Sequence, residues 1–282
     1  GGGAMTVRDG EVQSYQALTV GSLTISDATT SVTTGGALTS SGAVNVTSGG
    51  SIVFNGTASS TALTLNANTG VTFNQNVTSN GTTTIDTDVD NNGAGDFTLA
   101  SSRVFTTTNN ALQITANDID LSGTSLTSGS AAMTLLVSES GGTIGIGDTA
   151  GGLHISKAEL AKITASTLTI GQSSNTGNIT VDNLVTANTA NISTTLALVT
   201  NSAISFANNA SAFTPGLDVD AGDTIGIDVA LTGTTFAIDG TGVTTIAAGG
   251  DITASGAVTF GGSKSGTLTT SGDIDTTDDN IT

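Results

Sequence analysis

Most of this chain consists of short segments in which apolar residues stand at alternate positions, with Thr or Asn between them, until Gly, Asn or Ser interrupts the pattern. Between Ser51 and Leu99, residues 63–65 and 71–73 follow this rule, and residues 52–54 follow it with Val53 at the middle position. A period of two predicts β-strands, and no segment here is long enough to form a helix. The stretch therefore predicts strand, turn, strand, turn.

The apolar pairs recur through almost the whole sequence, from Leu18/Val20 to Val258/Phe260, at intervals of about 6 to 12 residues. Two or three such strands would close one coil of about 20 to 25 residues, so the chain would hold on the order of a dozen coils. Small residues at the corners let successive backbones lie about 4.8 Å apart, and outward-facing Thr suits a strand. The pattern predicts an all-β fold, a β-solenoid with a thin, continuous core.

One segment departs from this rhythm. Residues 156–163 contain a capping box, in which Ser156 is followed three residues later by Glu159, and then good helix formers. This segment predicts one or two helical turns in place of a solenoid corner, anchored by Leu160 and Ile163.

The domain organisation is predicted from the lack of a clear linker. The one proline, Pro215, lies within residues 211–217 and indicates a longer turn or a seam. We expect a single solenoid domain over residues 1–282, with a seam near residue 213 as the alternative. Neither end of the sequence has the polar pattern of a capping coil, so we expect a portion of a longer fibre or a subunit that stacks head to tail.

The composition excludes several function classes. Of the 282 residues, 36% are hydrophobic, which favours a packed core over a disordered tract. The net charge is −18, from 23 acidic and five basic residues. Binding to nucleic acid or to an anionic membrane needs a basic surface, which these residues do not provide. Cysteine is absent, and no apolar run approaches the roughly 20 residues of a membrane-spanning helix.

Several phrases of the sequence resemble the filamentous-haemagglutinin-like adhesins of bacteria, very large β-solenoid proteins of the two-partner-secretion type. The resemblance covers most of the chain from about Gly35 onward. It is carried by residues 50–57, 118–123, 158–171, 177–182, 255–261 and 266–274. The resemblance implies a right-handed parallel β-helix, export to the cell surface or the extracellular space, and a role in adhesion or in building fibres. It supplies no catalytic motif.

The acidic stretch between two predicted strands is the strongest candidate for a ligand site. Its oxygen-bearing side chains are those of Asp86, Asp88, Asp90, Asn92 and Asp96. From the second of these onward the pattern is D-x-D-x-N-G-x-x-D, which matches positions 1, 3, 5, 6 and 9 of a calcium loop. Leu99 replaces the bidentate acid of position 12, so a calcium ion would be held weakly or would borrow Asp86. The alternative is an acidic turn that protrudes between coils.

Two further acidic groups and one histidine are weaker candidates. The groups are Asp218, Asp220 and Asp223, and Asp273, Asp275, Asp278 and Asp279. Strand alternation places Asp218 and Asp220 on one face, where a cation would relieve their repulsion, although solvated loops are the favoured explanation of both groups. The histidine, His154, lies near Lys157 but has no partnered nucleophile in the sequence, so it defines no catalytic site.

These observations favour a structural and adhesive extracellular filament or adhesin shaft that is not an enzyme. Its expected partners are further copies of itself, in a head-to-tail fibre, or host and neighbouring cell surfaces and their glycans. The alternatives are a solenoid that binds a glycan, a solenoid that binds ice through rows of Thr such as residues 82–84, 106–108 and 269–270, and a calcium-stabilised surface protein. Ice binding would need the same outward Thr pair in every coil at one fixed spacing.

Overall fold

The computed structural model describes residues 3–8, 12–14, 16–27, 29–262, 266–277 and 279–282. Asp278, which belongs to the last acidic group of the sequence, lies outside these residues. Over these residues the chain is an all-β parallel solenoid of about 12 turns with two short helices, which confirms the predicted fold class. No helix in the described part of the chain is both long enough and apolar enough to cross a membrane.

The strands are short and follow one another closely along the chain. They are β1 (Ala4–Arg8), β2 (Val12–Ser14), β3 (Leu18–Val20), β4 (Ser22–Asp27), β5 (Val32–Thr34), β6 (Leu38–Ser40), β7 (Ala43–Ser48), β8 (Ile52–Phe54), β9 (Ala58–Ser60), β10 (Ala62–Ala67), β11 (Val71–Phe73), β12 (Val77–Ser79), β13 (Thr83–Asp86), β14 (Phe97–Leu99), β15 (Val104–Thr106), β16 (Leu112–Ala116), β17 (Ile119–Leu121), β18 (Ser125–Thr127), β19 (Met133–Val137), β20 (Ile144–Gly147), β21 (Leu153–Ile155), β22 (Ile163–Gln172), β23 (Ile179–Asp182), β24 (Ile192–Thr200), β25 (Ile204–Phe206), β26 (Ser211–Ala212), β27 (Gly216–Ala221), β28 (Ile225–Ile227), β29 (Leu231–Gly233), β30 (Phe236–Gly240), β31 (Val243–Ile246), β32 (Ile252–Ala254), β33 (Val258–Phe260), β34 (Thr267–Thr270) and β35 (Ile274–Thr276). The two helices are α1 (Lys157–Leu160) and α2 (Thr186–Thr189).

The chain divides into two compact units. Unit 1 comprises residues 1–139 with residues 162–165, and unit 2 comprises residues 140–161 with residues 166–282. The predictions of a single domain and of a seam near residue 213 stay predictions.

Unit 1 stacks its strands in three parallel columns. The columns run β1-β4-β7-β10-β13-β16-β19, β2-β5-β8-β11-β14-β17 and β3-β6-β9-β12-β15-β18-β22. Ile52 pairs with Val71, so one coil in this region takes 19 residues, close to the predicted length. Parallel pairing at this spacing is the signature of a solenoid, because each coil adds one rung to every column.

Unit 2 also has three parallel columns. They run β24-β27-β30-β33, β21-β20-β23-β25-β28-β31-β34 and β26-β29-β32-β35. Pro215 precedes β27 in the turn after β26, where its missing N–H removes no ladder hydrogen bond.

The core of unit 1 is built from ladders of apolar side chains in register. One ladder runs through Ile25, Val46, Leu65, Ile85, Ile114 and Leu135. All six are buried, with at most 3% of the side chain exposed. Burial of each such side chain contributes roughly 1.5–3 kcal/mol, so the coils stabilise one another mainly through these ladders.

Four phenylalanines add an aromatic cluster to that core. Phe73 stacks on Phe54 with ring centroids 5.1 Å apart, and Phe105 meets it edge-on at 5.2 Å. Phe97 completes the cluster at 5.9 Å from Phe73. All four rings are buried, so half of the eight phenylalanines of this sequence lie together in the core of unit 1.

The predicted helix is present as a single turn, within the one or two turns that the sequence predicts. Ser156 is the N-cap of α1: its backbone N–H donates to Glu159 Oε2 at 2.9 Å, and its Oγ accepts from the Glu159 N–H at 3.3 Å. Leu160 is buried, as predicted. Ile163 instead begins β22, because the chain returns to the strand pattern directly after the helix.

The second helix, α2, was not predicted from the sequence. It packs against α1, and its Asn188 Nδ2 donates to the Lys157 carbonyl at 3.2 Å. Asn188 Oδ1 also accepts from the Val185 N–H at 2.8 Å, which closes the first turn. Three of its four residues, Thr186, Asn188 and Thr189, are poor helix formers, and a helix of one turn is too short to be stable alone, so this turn depends on its packing.

Candidate functional site

The acidic loop, defined here as residues 86–96, is an insertion into the regular coil of unit 1. Val71 pairs with Phe97, so this coil takes 26 residues, against 19 for the coil before it. Thr87 and Gly95 close the base of the loop, where Thr87 Oγ1 donates to the Gly95 carbonyl at 2.8 Å. A Cβ on Gly95 would lie 1.8 Å from the Thr87 carbonyl oxygen, so only glycine fits there.

Asp88 organises the interior of the loop. Its side chain is 0% exposed. Its Oδ1 accepts from the Asn92 N–H at 3.2 Å, and its Oδ2 accepts from the Gly93 N–H at 3.0 Å. The Ser138 hydroxyl donates to the same Oδ2 at 2.6 Å. Three hydrogen bonds therefore compensate the burial of this carboxylate.

Asp86 lies at the edge of the loop, on the outer face of β13. Its Oδ1 accepts from the Asp88 N–H at 3.2 Å. Burial raises the pKa of the Asp86 carboxyl above its ordinary value, the hydrogen bond from Asp88 N–H lowers it, and the nearby Asp88 charge raises it further. The net shift favours the protonated form of Asp86.

The other predicted ligands face solvent. Asp90 Oδ2 accepts from Asn92 Nδ2 at 2.9 Å at the exposed tip. Asp96 Oδ1 accepts from Asn117 Nδ2 at 3.1 Å, in the next coil. Asn91, with φ 53°, and Gly93, with φ 76°, both adopt the left-handed conformation that the tight turn requires.

Two residues of this region were missed by the sequence analysis. Ser138 and Glu139 follow β19, and Ser138 lies 50 positions after Asp88 in the sequence. Glu139 Oε1 lies 3.0 Å from where a Cβ of Gly93 would stand. A local calcium-loop pattern contains no signal for partners so distant in the sequence. Only the register of the coils brings them to the loop.

The capacity of the loop for calcium depends on these arrangements. Asp88 directs its carboxylate to backbone N–H groups and Ser138, and Leu99 is buried in β14. Across the described residues, no group of three or more His, Cys, Asp or Glu side chains is placed to hold a metal ion. A calcium ion would have to use Asp90, Asn92 and the carbonyls of the tip, with the Glu139 carboxylate beside Gly93 as a further ligand. The calcium site stays a prediction.

The acidic group of unit 2 follows the predicted strand alternation. Asp218 and Asp220 both face outward from β27, and Asp220 pairs in register with Asp239 of β30. Burial raises the pKa of Asp218, and the charges of Asp220 and Asp239 raise it further. Asp218 also lines a shallow groove of about 260 Å³, with small side chains such as Ala237 around it.

The last acidic group lies around β35: Asp273 precedes this strand, Asp275 is within it and Asp279 follows it. The Asp273 N–H donates to Asp251 Oδ1 at 2.9 Å, and Asp275 is a strand residue paired with Thr253. These two contacts place Asp273 and Asp275 next to the preceding coil, in the column that ends with β35. The metal hypotheses for both acidic groups stay predictions.

His154 belongs to a polar cluster, of which the sequence indicated only the proximity of His154 and Lys157. Lys157 Nζ and Asn183 Nδ2 both donate to Asp148 Oδ2 at 2.6 Å. The hydrogen bond from Lys157 and then that from Asn183 lower the pKa of Asp148, and the charges of Lys157 and His154 act in the same direction. His154 Nε2 lies 3.2 Å from the Gly147 carbonyl oxygen. The cluster ties the turn after β20 to the start of α1.

An unbroken row of hydroxyls runs along the third strand column of unit 1. Its members are Thr19, Thr39, Ser59, Thr78, Thr106, Thr127 and Thr164, in register. The first column has no such uniformity: Thr64 is followed by Asn66 on the outer face, and Gln113 by Thr115. The coils therefore do not carry a regular pair of outward Thr residues, but the third column carries one regular row of hydroxyls.

Comparison with protein-family models, with curated proteins and with solved structures finds no match for this chain.

Proposed function

We propose that this chain is a structural and adhesive shaft: a parallel β-solenoid of the kind found in filamentous-haemagglutinin-like adhesins, presented outside the cell and without a catalytic step. The observation that carries the proposal is the in-register stacking of coil on coil, with apolar ladders inside, such as the one from Ile25 to Leu135, and small polar residues outside. Such a fold forms a long, stiff rod and does not enclose a substrate.

Exposed apolar side chains in the first and last coils support the stacking of a further coil on each end. Met5 pairs with Leu23 in the apolar ladder of the first column, yet Met5 is 36% exposed and Leu23 only 1%. At the other end, Leu268 pairs with Thr244 and is 41% exposed, and Ile281 is 50% exposed. A further coil would cover these apolar rungs, whether it came from the same chain or from a second copy.

The partners that fit this proposal are further copies of the chain and cell-surface glycans. Copies would pair through the backbone N–H and C=O groups of the terminal strands, as in strand addition. The excess of acidic residues keeps such a fibre soluble by repulsion between neighbouring surfaces.

The test is a terminal strand that can no longer pair. Ser271 N donates to the Ile246 carbonyl on one side of β34, so strand alternation directs the Leu268 N–H to the opposite side. Leu268→Pro removes that donor without removing a bond to β31, and Leu268→Val keeps it. We expect light scattering to show concentration-dependent assembly for wild type and Leu268→Val, and its loss for Leu268→Pro. Equal scattering by all three proteins would contradict pairing at this edge.

A second candidate function is binding to ice, and the regular row of hydroxyls in unit 1 favours it. Thermal hysteresis and ice shaping test this function directly. Thr78→Lys interrupts the row at its centre, and Thr72→Lys changes an outward position on a different column. Ice binding predicts activity that only the first substitution abolishes. Absence of hysteresis in the wild type would remove this candidate.

A further inference from the structure

Three Asn-Gly pairs occur in the sequence, at Asn55–Gly56, Asn80–Gly81 and Asn92–Gly93. This dipeptide is prone to spontaneous deamidation because glycine leaves its own backbone nitrogen accessible to the preceding side chain. The reaction requires that nitrogen to approach the Asn side-chain carbon, so the local backbone must be able to rearrange. The three pairs differ sharply in that respect.

The first two pairs are corners clamped between neighbouring coils. The Asn55 N–H donates to the Thr34 carbonyl at 2.8 Å, and Asn55 Oδ1 accepts from Asn74 Nδ2 at 2.7 Å. A Cβ on Gly56 would lie 2.1 Å from the Gly36 carbonyl oxygen. Backbone packed this closely on the preceding coil cannot rearrange without breaking ladder hydrogen bonds.

The second corner is held in the same way. The Asn80 N–H donates to the Ser60 carbonyl at 2.9 Å. A Cβ on Gly81 would lie 2.0 Å from the Thr61 carbonyl oxygen. The Ser79 hydroxyl also donates to the Gly81 carbonyl at 3.1 Å, which fixes the corner from its own coil.

The third pair is different, because it lies at the tip of the acidic loop. Asn92 is exposed, and Gly93 adopts a left-handed φ of 76°. The Gly93 N–H donates to Asp88 Oδ2 at 3.0 Å, and Asn92 Nδ2 donates to Asp90 Oδ2 at 2.9 Å. The reacting nitrogen therefore already contacts a carboxylate that can accept its proton.

We propose that Asn92 is the deamidation site of this chain, and that Asp88 accepts the proton of the Gly93 amide. The Gly93 nitrogen attacks Cγ of Asn92 and forms a new N–Cγ bond. The Cγ–Nδ2 bond breaks, and the amide leaves as ammonia, which takes up one proton for the one that the Gly93 nitrogen lost. Water then opens the five-membered imide, giving aspartate or a β-linked isoaspartate, with no oxidation or reduction.

The modification changes the acidic loop. Both products add a negative charge beside Asp90, and the aspartate product converts the loop pattern to D-x-D-x-D-G. Isoaspartate also lengthens the backbone between residues 92 and 93. With that extra length, the Asn92 and Gly93 N–H groups can no longer both donate hydrogen bonds to Asp88. We therefore expect faster hydrogen exchange at these two amides.

The experiment is site-resolved peptide mapping of the purified wild-type chain during incubation at neutral pH. Gly56 and Gly81 are packed against backbone atoms of the preceding coil, whereas the nearest neighbour of Gly93 is the flexible Glu139 side chain. We therefore expect the Asn92 peptide to convert roughly tenfold faster than the peptides that contain Asn55 and Asn80. Asn92→Gln serves as the control and should remove that signal. Conversion at Asn55 or Asn80 at a rate equal to Asn92, or no conversion at Asn92, would overturn the proposal.

A second variant tests whether Asp88 accepts the proton of the Gly93 amide or only holds the loop in place. Asp88→Asn preserves the shape of the side chain but accepts a proton far less readily. We expect slower conversion of Asn92 in this variant, even though the loop is held less firmly. Faster conversion would show that Asp88 only restrains the loop, and would overturn its role as proton acceptor.

Discussion

The Ser138 hydroxyl donates a 2.6 Å hydrogen bond to the buried carboxylate of Asp88, fifty residues earlier in the chain. This contact joins the acidic loop to the end of β19 within unit 1. Because Asp88 also accepts from the N–H groups of Asn92 and Gly93, one carboxylate holds both the conformation of the loop and its attachment to the coils.

Loss of either partner should destabilise unit 1. Ser138→Ala removes one charge-assisted hydrogen bond, and we expect it to lower the free energy of unfolding by about 1–2 kcal/mol. Asp88→Ala leaves the buried hydroxyl and two N–H groups without acceptors, and we expect a loss of about 2–4 kcal/mol. Urea denaturation followed by circular dichroism measures both.

The control is Asp90→Asn, because Asp90 is exposed at the tip of the same loop. We expect this substitution to change stability by less than about 0.5 kcal/mol. The double variant Asp88→Ala/Ser138→Ala should cost less than the sum of the two single changes, since both remove the same bond. Strict additivity would mean that the two side chains do not interact.

The phenylalanine cluster should be the most sensitive part of the unit 1 core. Phe73 contacts the rings of Phe54, Phe97 and Phe105, so Phe73→Ala should cost about 3–5 kcal/mol through lost burial and a residual cavity. Phe260→Ala, in the partly exposed β33 position, is the matched control and should cost clearly less. Comparable losses in denaturant midpoint would contradict this description of the core.

The pH dependence of unit 2 should reveal Asp218. Burial raises the pKa of Asp218 in the folded protein, so the folded state favours the protonated form. Stability contributed through this group therefore rises as pH falls from neutral through the folded pKa, and levels off below the unfolded pKa. Asp218→Asn should be more stable than wild type at neutral pH by up to about 1 kcal/mol, after allowance for solvent screening, because Asp218 is partly exposed.

The advantage of Asp218→Asn should shrink between about pH 7 and pH 4, as the wild-type carboxyl becomes protonated. Asp228→Asn, at an exposed turn position, provides the comparison. Thermal melts of the three proteins across this range test the prediction. A constant difference between Asp218→Asn and wild type at every pH would contradict it.

Calcium binding at the acidic loop is tested by thermal melts with added calcium and with chelator. Binding to the folded state alone raises the midpoint as the ion concentration rises. The prediction is an upward shift with calcium that magnesium at equal ionic strength does not reproduce, and that Asp90→Asn reduces. An unchanged midpoint would remove the ion as a stabiliser of this loop.

Much of the fold could be predicted from the sequence because it depends on local alternation. The pairs Leu63/Leu65 and Val71/Phe73 lie in strands with the expected burial, since a period of two places alternate side chains on the core face. The capping box of α1 was also correct because its two hydrogen bonds lie within four residues. Helix α2 escaped prediction because its stability comes from packing on α1, which no local pattern records.

The acidic loop shows where sequence reasoning stopped. A linear motif assigns Asp88, Asp90 and Asn92 to one set of ligands, but the fold buries Asp88 and leaves the other two exposed. Ser138 and Glu139 reach the loop only through the register of later coils. Non-local contacts of this kind depend on coil lengths, and the length of an inserted coil cannot be read from the motif that it carries.

Cryo-electron microscopy of the purified chain over a range of concentrations tests the proposed shaft most directly. We predict filaments in which the terminal coils of successive copies are stacked and the apolar rungs Met5, Leu268 and Ile281 are covered, with coils about 4.8 Å apart along the fibre. Separate, monodisperse particles at every concentration, with those three side chains still exposed, would contradict head-to-tail assembly of this chain.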